Sequence, residues 1–244
     1  MTDYLINELK KLRDEIIKLD FKTVYILISV AFIVFISLTF SSPAFYLDHF
    51  GSSKLSSRIY WFLSDGLIMF LVPVLSVKFI FRKKLSDFGL AIGDFKFGII
   101  SSALFYIVML IIIWIVSASP EFIVTYPQGG EELKKNFQLL IIYELCIFVY
   151  MLGWEFLWRG YMLFGLFEKL GYYSIFIQMI PFFILHKGKP DIELFASIFA
   201  GIILGIQAIR SRSFIYSWIL HCTVMLSVDL ISVLRYKFNI YTIF

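Results

Sequence analysis

The sequence predicts an all-α protein, a polytopic transmembrane helical bundle of about seven to eight spans, and three observations lead there. Of its 244 residues, 60% are hydrophobic and 16% charged, with a mean hydropathy of +0.85. Soluble domains average ~45–50% apolar and ~25% charged residues. The apolar residues gather in runs centred on 24–40, 59–81, 97–119, 137–167, 172–186, 192–209 and 214–234, each bounded by charge or turn residues. Most approach the ~20 residues that cross a bilayer. Lysine and arginine also crowd the alternate connections, as the positive-inside rule requires.

The elements follow in order. Residues 1–22 repeat Leu5, Leu9, Leu12 and Ile16 at helical spacing with charges between them, which suits a cytoplasmic amphipathic segment lying on the membrane surface. No apolar run with a small-residue cleavage site precedes residue 22, so the first span is expected to stay as an anchor. Residues 23–244 then form a single transmembrane domain. Lys10, Lys11, Arg13, Lys18 and Lys22 precede the first span, and Lys78, Arg82, Lys83, Lys84 and Lys96 surround the second connection, whereas the first connection offers only Lys54 and Arg58. The N-terminus is therefore expected in the cytoplasm of a cell membrane, and the short loops point to a prokaryotic one. The 137–167 run is long for one untilted crossing, and 172–186 is short and holds Pro181, so a break at either place would change the span count by one.

Composition also removes function classes. The net charge of +4 is accounted for by juxtamembrane clusters, and no basic face interleaved with aromatics argues for nucleic acid. Cys146 and Cys222 both fall in spans, where packing is the plain role, and no phosphate loop or internal repeat is visible. The bilayer is the expected partner.

The chemistry lies in polar residues buried in apolar runs. Within MLGWEFLWRGYMLFG, residues 151–165, Glu155 and Arg159 stand four apart, on one helix face, where the guanidinium neutralises the carboxylate. Ionisable groups cost at least ~2.5–3.5 kcal/mol each in lipid, so the pair is either a packing strut or part of an interior site. His186 sits at the end of a short span, before a Gly188 and Pro190 turn that lets Glu193 approach it. His221 lies well inside the last span with Asp229 about two turns beyond it. His49, the third histidine, falls in a polar loop. Two imidazoles and the carboxylates Glu155, Glu193 and Asp229 are the parts needed to polarise a water, with a carboxylate as general base. His186, His221 and Glu155 also meet the three-ligand pattern of catalytic zinc, although no His-Glu-x-x-His helix supplies it, and a metal-free route uses the same residues. Glu144 reads as a helix-end charge, ~16 Å from Glu155 at 1.5 Å per residue.

These motifs resemble the CAAX prenyl endopeptidase type II and bacteriocin-processing group, the CPBP or Abi intramembrane proteases. The family's Glu-Glu-x-x-x-Arg run is matched at Glu155 and Arg159, followed by Gly160-Tyr161, with Trp154 in place of the first glutamate. Its Phe-x-x-x-His motif is matched by Phe182 and His186, and its His-x-x-x-Asn motif at His221, with Met225 where asparagine would stand. The likeness covers residues 137–234, and LSDFGLAIGDFKFG before the third span resembles the family's interfacial element. It implies an intramembrane endopeptidase that cleaves a membrane-anchored or hydrophobic peptide, with the glutamate and first histidine activating water and the later histidine near the oxyanion. Since Trp154 cannot accept a proton, three outcomes follow. Glu155 acts as the base, Glu193 beside His186 replaces the missing carboxylate with Asp229 standing in for the asparagine, or the chain keeps the fold as a scaffold, for bacteriocin self-immunity or control of an envelope protein. A variant active site is the favoured expectation.

Overall fold

The computed structural model describes residues 2–240, and these form a helical bundle. The N-terminal α1 (Thr2–Ile17) is followed by α2 (Phe21–Phe40), the short α3 (Pro43–His49) and α4 (Lys54–Leu75), which continues as a π-helical turn, Ser76–Ile80. A 3-10 turn, Leu85–Phe88, leads to α5 (Phe95–Val116), then α6 (Pro120–Thr125), α7 (Glu132–Lys135) and α8 (Phe137–Glu155). α8 passes through a π segment, Phe156–Met162, into α9 (Leu163–Leu170), and α10 (Tyr173–Ile184), α11 (Asp191–Ser211) and α12 (Ile215–Phe238) complete the chain.

Six helical stretches are long and apolar enough to cross a membrane, and α10, with 12 residues, is a shorter apolar helix. The seven expected runs thus all appear as helices. The long 137–167 run does not break. It forms one continuous helix of 34 residues, Phe137–Leu170, because the π segment keeps its backbone hydrogen-bonded through the widened turn.

Capping side chains set several starts. Asp20, Ser42, Ser53, Asp94 and Asn136 each accept a hydrogen bond from a backbone N–H in the first turn of the helix that follows. Many polar contacts between the helices pair no opposite charges. Gln178 Nε2 on α10 donates to the Gly201 carbonyl on α11 (2.7 Å), and Gln207 Nε2 on α11 donates to Ser101 Oγ on α5 (2.9 Å). Tyr106 on α5 meets Ser227 on α12 at 2.8 Å, while Ser37 Oγ of α2 and Trp61 Nε1 of α4 both donate to the buried Asp65. Such bonds hold transmembrane helices together where hydrophobicity gives little drive.

α4 and α8 approach each other closely. A Cβ on Gly66 would lie 2.8 Å from the Tyr150 Cα, and one on Gly153 would lie 2.2 Å from the Gly66 carbonyl oxygen. The two glycines let the backbones touch, and this contact fixes the height of Glu155, two residues after Gly153.

The basic end of the bundle is ordered around α9. Lys22 bonds Glu168 (3.0 Å), and Phe88 is buried against Phe81 and Tyr161, with centroids 6.1 Å apart in each pair. Gly93, at φ +57°, brings the chain against α11, so that the Asp94 N–H donates to the Ser211 carbonyl at 2.8 Å. The segment 85–98 is thus a packed cover over α9, α11 and α12. α1 presents Leu5, Leu9, Leu12 and Ile16 to the surroundings. His49 closes α3, with its Nδ1 2.9 Å from the Phe45 carbonyl oxygen.

Candidate active site

Three elements meet at Glu155, which is wholly buried at the last residue of α8. The π segment begins at the next residue, and π turns interrupting α-helices concentrate at functional sites. Arg159, also wholly buried, reaches back along this segment and its Nη1 donates to Glu155 Oε1 at 3.1 Å. From α12, His221 Nδ1 bonds the same oxygen at 2.7 Å. An ionised carboxylate only accepts, so this bond puts a proton on Nδ1, and in the neutral form of the ring Nε2 is the accepting nitrogen.

The Phe182 ring on α10 is the floor of this group. The Arg159 guanidinium stacks 3.9 Å above the Phe182 centroid, and the imidazoles of His186 and His221 have centroids 4.5 Å and 6.3 Å from it. His186 Nδ1 lies 2.7 Å from the Phe182 carbonyl oxygen, to which it donates, and its Nε2 is likewise left free to accept. Trp154, 5% exposed, fills the remaining wall, 5.6 Å from Phe182 and 5.8 Å from His186 between centroids. Glu155, Arg159, His186 and His221 therefore surround one aromatic ring.

Several buried polar atoms here have no protein partner: Glu155 Oε2, Arg159 Nε and Nη2, and the Nε1 atoms of Trp154 and Trp158. Buried polar groups are ordinarily satisfied, so a concentration of such atoms marks a place built to meet something polar. The indoles were not singled out from the sequence, since tryptophan in a membrane run reads as packing. Their value as donors depends on neighbours supplied by other helices.

Glu193 comes within electrostatic reach of His186 but is bonded by other groups, and Asp229 lies elsewhere. Glu193, at the start of α11, takes a short hydrogen bond from Tyr126 and pairs with Lys189 at 3.5 Å, while Lys189 Nζ also donates to Tyr126 at 3.0 Å. Its carboxylate is thus engaged by a tyrosine and a lysine, neither of them anticipated, because Tyr126 arrives from the loop after α6. Asp229 is buried on α12 with its carboxyl group within hydrogen-bond reach of Glu144 on α8. The expectation that Asp229 stands in for the asparagine near His221 is corrected. α8 and α12 run antiparallel, so the turn that carries Asp229 past His221 carries it toward Glu144 and away from Glu155. Glu144, read as a helix-end charge, is its partner.

Glu155 Oε2 and the Nε2 atoms of His186 and His221 are the lone pairs this site leaves open. Glu155 Oε1 is taken by a guanidinium and an imidazole N–H, and His186 turns its Nδ1 to a backbone carbonyl. Among the described residues, no three His, Cys, Asp or Glu side chains are arranged to hold an ion. Cys146 and Cys222 are both free.

No curated protein and no solved structure matches the chain. Residues 136–227, which carry Glu155, Arg159, His186 and His221, match the Rce1-like family of type II CAAX prenyl endopeptidases, the protease family that the motifs of the sequence resemble.

Proposed function

We propose that this protein is an intramembrane endopeptidase that cleaves a membrane-anchored or hydrophobic peptide in the cell membrane, with its N-terminus in the cytoplasm. The observation that carries this reading is the double engagement of Glu155 Oε1 by Arg159 and His221. A carboxylate that fixes one imidazole nitrogen as a donor makes the other a base, the logic of the Asp–His pair in serine proteases, here applied to water.

In this scheme His221 Nε2 accepts a proton from a water that attacks the scissile carbonyl carbon, and His186 Nε2 accepts the water's second hydrogen bond and so orients it. The imidazolium formed on His221 is stabilised by Glu155. It then gives its proton to the leaving nitrogen as the carbon–nitrogen bond breaks. The free Arg159 edge and the Trp154 N–H are the donors available to the developing oxyanion. Arg159 keeps Glu155 ionised and in place. In this scheme Glu155 orients the base and His221 is the base.

The experiment is cleavage of a membrane-anchored reporter peptide by the full chain in liposomes. Activity should be lost in His221→Ala at unchanged protein abundance. Undiminished cleavage in that variant would remove the scheme.

The second reading is a scaffold that keeps the protease fold. Trp154 favours it, because a buried indole occupies the position of the family's first glutamate and packs against Tyr150, Trp158, Phe182 and His186.

A further inference from the structure

A second polar layer lies along the α8–α12 seam, distinct from the Glu155 site. Glu144 and Asp229 bring their carboxyl groups into contact there, and the oxygens Glu144 Oε1 and Asp229 Oδ1 are buried with no donor from the protein. Asp229 is 1% exposed. Two carboxyl oxygens cannot bond each other without a positive centre between them, and only a proton or a cationic group meets that need. The cationic residues nearest on the packed elements are committed elsewhere. Lys189 binds Tyr126 and Glu193, and Lys134 Nζ donates to the Ile123 carbonyl at 3.2 Å. Tyr143 and Tyr126, both buried, Glu193 and Cys222 also face the pair and add no positive charge, and Arg58 stands within electrostatic reach of the two tyrosines.

The placement gives this acceptor pair a use. His221 and Asp229 both face α8, one against Glu155 and the other against Glu144. They are eight residues apart on α12, ~12 Å along the helix at 1.5 Å per residue. An extended peptide advances ~3.3 Å per residue, so a chain laid along the seam from His221 reaches the pair in three to four residues.

We propose that Glu144 and Asp229 form a substrate subsite that binds the ammonium or guanidinium of a Lys or Arg side chain, three to four residues from the bond held at His221. The side chain's charge replaces the proton between the two carboxyl groups, and an acidic pair in a low-dielectric seam selects strongly against neutral or acidic side chains at that position. The proposal rests on the endopeptidase reading for its register and on the pair alone for its chemistry.

The test uses the full chain in nanodiscs and a set of membrane-anchored, fluorescently labelled decapeptides in which one lysine is moved along an otherwise uncharged sequence. Binding is measured as well as cleavage, so that a protein without peptidase activity still reports on the subsite. One lysine position should bind at least ~10-fold tighter than its glutamine counterpart, a factor of ten being a modest charge-pair effect. The preference should vanish in the Glu144→Gln, Asp229→Asn double variant and persist in His221→Ala. Equal binding at every lysine position in the unaltered protein would overturn the proposal without any variant and mean that the pair holds a proton only. A preference that survives the double substitution would overturn it too. Loss of cleavage in every peptide with the lysine preference intact would instead strike the endopeptidase reading and leave the subsite standing.

Discussion

Glu155 Oε1 lies 2.7 Å from Nδ1 of His221, although 66 positions separate the two residues in the chain. The contact ties the end of α8 to the second turn of α12 and fixes the proton on Nδ1 of a partly buried imidazole. Two substitutions test whether this bond serves chemistry. Glu155→Gln keeps size and hydrogen-bonding but removes the charge that stabilises the imidazolium, and His221→Ala removes the base. Each should lower cleavage by at least ~10²-fold, the usual worth of a positioned acid or base. Groups that act as one unit lose activity once, so the double variant should be no slower than the slower single. Kinetics of all three in liposomes decide it, and multiplied losses would mean that the residues work separately.

Arg159 supplies the second test. Its pair with Glu155 is wholly buried on both sides, so Arg159→Ala leaves a carboxylate with only His221 beside it. Breaking a buried pair from one side costs about 3–5 kcal/mol. The folded yield and the thermal midpoint in detergent should both fall. Arg159→Lys keeps the charge but loses the planar stack on Phe182 at 3.9 Å, and should recover part of the yield. An alanine variant as stable as the parent would mean the pair contributes nothing to folding.

A third prediction concerns the seam between α4 and α8. In Gly66→Ala the new methyl meets the Tyr150 backbone at 2.8 Å, and in Gly153→Ala it meets the Gly66 carbonyl oxygen at 2.2 Å. Backbone cannot swing aside as a side chain can. Overpacking of this kind costs about 1–3 kcal/mol and should push α8 outward, moving Glu155 from His221. Cleavage should fall more in Gly153→Ala than in Gly171→Ala, because a Cβ on Gly171 meets nothing within 4 Å even though that residue has φ +54°. Equal effects at both positions would remove the link between helix approach and site geometry.

Much of this architecture was legible in the sequence because a bilayer imposes a simple code. Apolar runs of spanning length must become helices, and six did, while the shorter 172–186 run became α10. The Glu155–Arg159 pair was legible for the same reason, since i and i+4 share a face whatever the rest of the chain does. His186 and His221 could be named from their setting, but not their bonds. The Phe182 carbonyl and Glu155 that orient them are placed by helix packing. The partners of Glu193 and Asp229 were harder still. Tyr126 comes from an irregular loop, and the meeting of Glu144 with Asp229 follows from the antiparallel register of α8 and α12, which no local spacing encodes.

Trp154 separates the enzyme from the scaffold. Its ring is 5% exposed and stands 5.8 Å from His186, so Trp154→Glu would set a carboxylate beside the imidazole that orients the water, at the cost of packing against Tyr150 and Trp158. On the enzyme reading, cleavage per folded molecule should rise, since an added second base is worth up to ~10²-fold and outweighs the modest loss of the indole N–H. Trp154→Phe, which removes only the indole N–H and some bulk, should lower it modestly through the oxyanion. A cellular phenotype scored beside protein abundance then completes the comparison. Should Glu155→Gln, His186→Ala and Trp154→Glu all behave as the parent at equal abundance, the buried carboxylate, its arginine and the two imidazoles serve helix packing alone. The chain would then work through its surfaces. A drop in the first two variants with a rise in the third has no explanation in a scaffold, because packing would be disturbed in all three.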